Sequence, residues 1–387
     1  MEVVVGGNKR ARRSYGFDEV ALVPGPLVVD ARDVDVSWTL GDKRFEIPIL
    51  AAALDGAVNP LMAIEMSKLG GLAVMNLDGL QARYDDAEAV LQSIADAPQE
   101  GVVGFIQRLY AERPVQPELI RKRIREIKDA GAVAAVSATP LTAERAAEAA
   151  VEAGVDVFVV QSTVGTVRFE SSQVPEFPVA EFCKNAPVPV IVGNTVGYQA
   201  TIELMEAGAA AILVGVGPGA ACTSREVLGL GVPQVTATAD AAAARDYHYK
   251  RKGRYVPIIT DGGMTTGGDV CKALASGADA VMIGSAFARA TEAPGRGFHW
   301  GMATPHLNLP RGTRIRVGSA GSLEQILFGP AFTEDGTLNL VGAIRTCMGS
   351  IGAMTIRDLQ QTELIISPAI KTEGKIFQQA QKLGRPR

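Results

Sequence analysis

The stretch 142-TAERAAEAAVEAGVDVFVV-160 holds two periodicities back to back. Its first part, 142–154, sets alanines and valine at helical spacing, with Arg145 and Glu148 turned outward and Thr142 at the N-cap position. Its second part, 155-VDVFVV-160, is a β-branched run of the kind buried on both faces of a parallel sheet. Gly154 lies at the join, where a glycine in the left-handed region ends a helix and sends the chain back to the sheet.

The same join recurs along the chain, at Leu69-Gly70-Gly71, Ala130-Gly131-Ala132, Ala207-Gly208-Ala209 and Ser276-Gly277-Ala278. The runs that follow these are 72-LAVMN-76, 133-VAAVSA-138, 209-AAAILVG-215 and 279-DAVMIG-284. Two more, 188-VPVIVG-193 and 256-VPIITDGG-263, are entered through Val-Pro, and 48-PILAAA-53 opens the series, making eight. Between them 117-PELIRKRIREIKDAG-131 places Leu119, Ile120, Ile124 and Ile127 near one face; 196-VGYQATIELMEAG-208 and 267-GGDVCKALASG-277 repeat the form.

Eight buried strands alternating with helices predict an α/β fold, a (β/α)8 barrel. The competing open sheet expects G-x-G-x-x-G after the first strand, where this chain reads Leu54-Asp55-Gly56-Ala57. The barrel is expected over 48–366. An extension, 1–47, is expected to pack on it, and its 34-VDVSWTL-40 alternates like a hairpin arm. A tail follows at 367–387.

Barrel chemistry sits at the carboxyl ends of the strands. Those ends read Asp55, Asn76, Gln161-Ser162-Thr163, Gly193-Asn194, Asp261-Gly262-Gly263 and Gly284-Ser285. The last two end the seventh and eighth strands, where glycine amides commonly bind phosphate. A carboxylate there, Asp261, suits a ribose diol, because it accepts from two hydroxyls.

After the sixth strand comes 215-GVGPGAACTSREVLGLGVPQ-234. A free cysteine is usually an inert core residue. Cys222 instead sits between Gly217-Pro218-Gly219 and the polar Thr223-Ser224-Arg225-Glu226, in a loop where backbone carbonyls and amides can crowd one point. That context points to a reactive thiol.

Composition sets the bounds. The chain has 387 residues, 47% hydrophobic and 21% charged, with a net charge of −4. No basic field is available for nucleic acid, and 121-RKRIR-125 reads as the solvated face of one helix. No apolar run approaches the ~20 residues of a membrane span, and MEVVVGGNKRARR lacks the apolar core of a secretory signal. Four cysteines without CxxC spacing fit a reducing compartment, the cytoplasm. The three histidines, 248, 299 and 306, make no transition-metal pattern.

Together, 212-ILVGVGPGAACTSRE-226, 233-PQVTA-237, 257-PIITDGG-263, 278-ADAVMIGSAFA-288 and 291-TEAPG-295 resemble IMP dehydrogenase and its sister enzyme GMP reductase, from roughly Tyr15 to Gly352. The resemblance implies a (β/α)8 barrel. It implies that the Cys222 thiolate adds to C2 of IMP, that hydride passes to NAD, and that the thioimidate is hydrolysed to XMP. Asp261 then matches the ribose-binding aspartate. Gly263, Gly284 and Ser285 match the phosphate clamp, with Leu54 in the loop beside it. Gln161, Ser162, Thr163 and Asn194 match positions near the cofactor. The carbonyls of Gly217, Gly219 and Cys222 match a monovalent-cation site, usually potassium, and the resemblance implies further ligands from Glu373-Gly374 of a neighbouring subunit. A homo-oligomer of four or eight subunits is implied.

Several residues depart from the family pattern. Ala52-Ala53-Leu54 stands where the family has Ser-Pro-Met, Gln161 replaces an aspartate, and Ser224 replaces a catalytic threonine. No paired regulatory domains fit between Asp55 and Tyr110. The flap, at about 311–340, is short, and 318-GSAGSLEQILFGPAFTEDGT-337 has no Arg-Tyr pair to activate water. Ser224 made basic by Glu324 is the expected replacement, with Arg311, Arg314 and Arg316 as rivals. Three activities stay open: oxidation of IMP, reduction of GMP (toward which 268-GDVCKA-273 leans), or a weakly active IMP-binding subunit partnering a full-length enzyme.

Overall fold

A computed structural model of the chain describes residues 2–173, 176–301, 313–367, 378 and 380–381. Eight parallel strands close into a barrel: β1 (Ile49–Ala51), β2 (Leu72–Asn76), β3 (Ala135–Ala138), β4 (Val157–Gln161), β5 (Val190–Thr195), β6 (Ala211–Val214), β7 (Ile258–Asp261) and β8 (Ala280–Ile283). Closure is the pairing of Val281 with Ile49 and Met282 with Leu50. Each falls within one of the apolar runs read from the sequence, or overlaps it by all but a residue or two.

Alternation along each strand divides the core in two. Leu50, Leu72, Val74, Val157, Ile191, Leu213, Ile259 and Met282 fill the barrel interior. Their chain neighbours, among them Ile49, Ala73, Phe158, Ile212 and Val281, face the surrounding helices. The interior cluster also takes in Trp38, Leu40 and Phe45 from a hairpin, Trp38–Leu40 with Lys43–Phe45, that precedes β1. Trp38 stacks on Phe45 with ring centroids 5.2 Å apart. Trp38 lies beside Pro257 and Asp279, which enter β7 and β8, so the hairpin plugs the amino end of the barrel.

The helices are α1 (Pro60–Lys68), α2 (Ala87–Asp96), α3 (Val102–Glu112), α4 (Pro117–Asp129), α5 (Ala143–Glu152), α6 (Val179–Asn185), α7 (Tyr198–Glu206), α8 (Ser224–Leu228), α9 (Gln234–Lys252), α10 (Gly267–Ala275), α11 (Leu323–Phe328), α12 (Leu340–Ile351) and α13 (Ile356–Leu359). The joining glycines 70, 131, 154, 208 and 277 all have φ between +72° and +113°.

Two local readings need correcting. The Thr142 side chain does not cap α5; its hydroxyl donates to Asp78 Oδ2 at 2.9 Å, across to the β2 loop. The basic run of α4 is not wholly solvated either. Arg123 is buried and donates to the carbonyls of Gln81, Tyr84 and Asp85, which anchors α4 to the segment after β2. Before the barrel, Val20–Leu22 pairs antiparallel with Leu364–Ile366 from after α13. Among the described residues no helix is long and apolar enough to cross a membrane.

Candidate functional site

The carboxyl ends of the strands open onto one cavity of about 280 Å³. Its wall includes Leu54 after β1, Asn76 and Asp78 at β2, Thr139 after β3 and Gln161, Ser162 and Thr163 at β4. Asn194 at β5, the 215–224 loop after β6, Asp261 and Gly263 at β7, and Gly284 and Ser285 at β8 complete it. Gly217, Gly219, Cys222 and Ser224 are within that loop, so nearly all the expected site residues meet on one wall.

The loop is shaped from below. Gly215 and Gly217 adopt φ of +151° and +81°. A Cβ on Gly215 would lie 2.3 Å from the Asp261 carbonyl oxygen, and one on Gly217 would lie 2.6 Å from Arg225 Cγ, so both approaches need glycine. Gln234, the first residue of α9, is buried, and its side-chain amide donates to the carbonyls of Val214, Asp261 and Gly262. One side chain thus ties the exit of β6 to the exit of β7. The Cys222 amide donates to the Gly219 carbonyl at 3.0 Å. The Cys222 thiol is partly exposed and lies 3.3 Å from the buried Ser224 hydroxyl.

Asp261 faces two side-chain amides: Asn194 Nδ2 donates to its Oδ2 at 2.8 Å, and Gln161 Nε2 at 3.1 Å. Burial pushes its carboxyl up to about 6, and the Asn194 hydrogen bond only partly offsets this. Gln161 is therefore a neighbour of the aspartate as well as a wall residue.

Two lining features were not legible in the sequence. His299 is buried, with Nε2 2.9 Å from Ser285 Oγ, and burial pushes its imidazole down to about 4, so it is neutral. Its strand, Phe298–His299, pairs with Ile315–Arg316, a contact between segments that no local pattern connects. Asp78 is the other: it accepts from the Thr139 amide and the Thr142 hydroxyl.

Other expectations are not met at the cavity. Glu324 does not line it: Ser322 caps α11, Leu323, Ile326 and Leu327 turn inward, and Glu324 is left exposed in the first turn. Among the rival arginines, Arg314 is buried and spends its guanidinium on the carbonyls of Ile94 and Ala97, and Arg316 is exposed on its strand. Arg311, like Glu373-Gly374, lies outside the described residues. Asp55 is a structural post instead of a wall residue, accepting from the Leu80 amide and the Tyr110 hydroxyl, which in turn accepts from Trp300 Nε1. Among the described residues no cluster of His, Cys, Asp and Glu could hold a metal ion; a site built from carbonyls is a separate matter.

A model of the IMP dehydrogenase / GMP reductase domain matches residues 14–304. An uncharacterized oxidoreductase of Mycolicibacterium smegmatis is 38% identical over 373 residues, covering 94% of this chain and 99% of that protein. The inosine-5'-monophosphate dehydrogenase of Aquifex aeolicus is 39% identical, with 91% of this chain and 92% of that protein covered. The crystal structure of an IMP dehydrogenase/GMP reductase-like protein from Corynebacterium glutamicum is similar with a TM-score of 0.89 at 34% identity, over 95% of this chain and 98% of that one.

Proposed function

The chain belongs to the IMP dehydrogenase / GMP reductase family of oxidoreductases, and from that premise we propose that it oxidises IMP to XMP with NAD through a covalent bond to Cys222. One observation carries the reading: a partly exposed thiol in the loop after β6, a carboxylate ending β7 and a glycine-serine turn after β8 stand around one cavity.

The roles follow from the chemistry each group can do. Cys222 Sγ bonds to C2 of the base, and the hydrogen on C2 departs with its electron pair as hydride, leaving a thioimidate. NAD, when bound, supplies the hydride acceptor. Water then adds to the same carbon, the C–S bond breaks, and the thiolate leaves. Thiolate serves at both ends because it attacks well and leaves well. Ser224 can donate its O–H to the thiolate from 3.3 Å. Asp261 accepts from the ribose hydroxyls, while Gly263, Gly284 and Ser285 hold the phosphate and Leu54 packs on Gly284. Ser162 and Thr163 line the cavity together with Gln161 and Asn194, which hold Asp261, and these are the residues assigned to orient NAD. A potassium-sized ion on the carbonyls of Gly217, Gly219 and Cys222 would steady the loop, although the Gly219 carbonyl already accepts one hydrogen bond.

The test is purified protein mixed with IMP and NAD. NADH should appear in the parent, and Cys222→Ala should reduce turnover below a few per cent while leaving the dissociation constant for IMP within a few-fold. Oxidation of NADPH by GMP instead would assign the reductase direction. IMP binding with neither reaction would assign a binding subunit. Equal rates in potassium and in a large organic cation would remove the ion from the scheme.

A further inference from the structure

A cavity that takes a phosphate monoester usually offers it a cation, yet among the described residues no lysine or arginine lines this one. Its titratable lining groups are Asp78, Cys222, Asp261 and His299. Two of these carry or can carry negative charge as carboxylates, and the thiol stands at the loop after β6. His299 is the basic group of the set, and it touches the turn that ends β8.

We propose that His299 is a positioning residue that turns the Ser285 hydroxyl into a hydrogen-bond donor for the phosphate of the bound nucleotide. This rests on the nucleotide reading above and deepens it.

A serine hydroxyl has one proton to give and lone pairs to receive with, and a neutral imidazole has one N–H and one bare nitrogen. Nε2 and Ser285 Oγ are 2.9 Å apart, so they share one proton. With Nε2 bare, Ser285 would spend its proton on the ring and turn lone pairs toward the anion. With the proton on Nε2, the ring donates, and the Ser285 proton is free for a phosphate oxygen. The other nitrogen decides between them. Among the described residues Nδ1 is buried without a hydrogen-bond partner. An orphaned buried N–H is rarer than an under-satisfied acceptor, so the proton belongs on Nε2.

The ring is also held in place. His299 is 2% exposed. A Cβ on Gly56 would lie 2.9 Å from His299 Cα and 2.5 Å from the Phe298 carbonyl oxygen, so the loop after β1 presses on this strand without spare room. Burial keeps the ring neutral, so its protonation does not change across the neutral range. The phosphate end is then read by oriented neutral dipoles, the Ser285 hydroxyl together with backbone amides, in place of a fixed positive charge.

Affinities for IMP and for inosine, which lacks the phosphate, separate this role from a structural one. A hydrogen bond to a charged group is worth enough to predict that His299→Leu lowers the preference for IMP over inosine by ~10-fold or more. Ser285→Ala should do the same, and the double variant should be no worse than Ser285→Ala alone. His299→Gln, whose amide N–H can stand near the Nε2 position, should recover most of the preference. An unchanged preference in His299→Leu, or equal weakening of IMP and inosine, would overturn the proposal. So would a proton on Nδ1 in the ¹⁵N spectrum of the labelled parent, a measurement that does not depend on any variant folding. If the parent binds no IMP, the nucleotide reading fails separately, and inorganic phosphate followed by ³¹P spectroscopy becomes the probe. Phosphate binding by the parent that His299→Leu loses would then support the relay, and equal binding would sink it.

Discussion

Asp261 and His299 titrate in opposite senses on the same cavity wall, which makes them separable in a ligand-free protein. The Asp261 carboxyl is raised from its ordinary 3.8 to about 6. Its contribution to stability is fully present below the ordinary carboxylate range and is lost as pH rises through about 6. The His299 imidazole is lowered from 6.5 to about 4, so its contribution is present above 6.5 and is lost as pH falls toward about 4. Across that window Asp261→Asn should therefore lose Tm on acidification more steeply than the parent. His299→Gln should lose it less steeply or gain. Calorimetry between those pH values checks both, and parallel profiles for parent and variants would contradict the burial argument. The sequence showed Asp261 because it ends an apolar run beside two glycines. It did not show His299, whose two-residue strand, paired with Ile315–Arg316, is too short to leave a periodic pattern. Glu324 misled for the complementary reason: sequence places it near the shortened flap but does not say which face of α11 it takes.

At the scale of elements, the helix-glycine-strand join was the legible unit, and its glycines differ in what they tolerate. A Cβ on Gly154 meets nothing within 4 Å, although φ is +84°. Gly154→Ala should cost about 1 kcal/mol, the strain of the left-handed backbone. Gly277 has φ of +113°, and a Cβ there would lie 2.4 Å from the Ala242 Cβ of α9. Gly277→Val adds overpacking to strain and should cost ~2–5 kcal/mol. Urea unfolding of the two variants orders them; the same loss in both would mean that helix packing behind β8 plays no part. Periodicity located both joins from sequence. It could not tell them apart, because the difference lies in how closely a neighbouring helix approaches.

For the whole molecule, the barrel works as a plug at one end and an open mouth at the other. Trp38 is buried among interior side chains at the amino end, opposite the mouth. Trp38→Ala should destabilise by ~3–5 kcal/mol through the cavity it leaves, with little change in IMP affinity. Chemical denaturation and titration of the same sample test the separation, and a large loss of affinity would tie the two ends together. At the mouth, β6, β7 and β8 are hydrogen-bonded neighbours, so their ends are graduations about 4.8 Å apart. Read across, the loop after β6 and the ends of β7 and β8 carry thiol, carboxylate and glycine-serine turn, the order in which the proposed nucleotide would present base, sugar and phosphate. The staves of the barrel therefore act as a gauge. On the proposed reading the far mark is fixed by backbone pairing and the near one by the glycine loop that Gln234 ties to β7, so a ligand would be measured by its length before any of its atoms is recognised. On that reading a free base would fall short of the far mark, and a second phosphate would run past it.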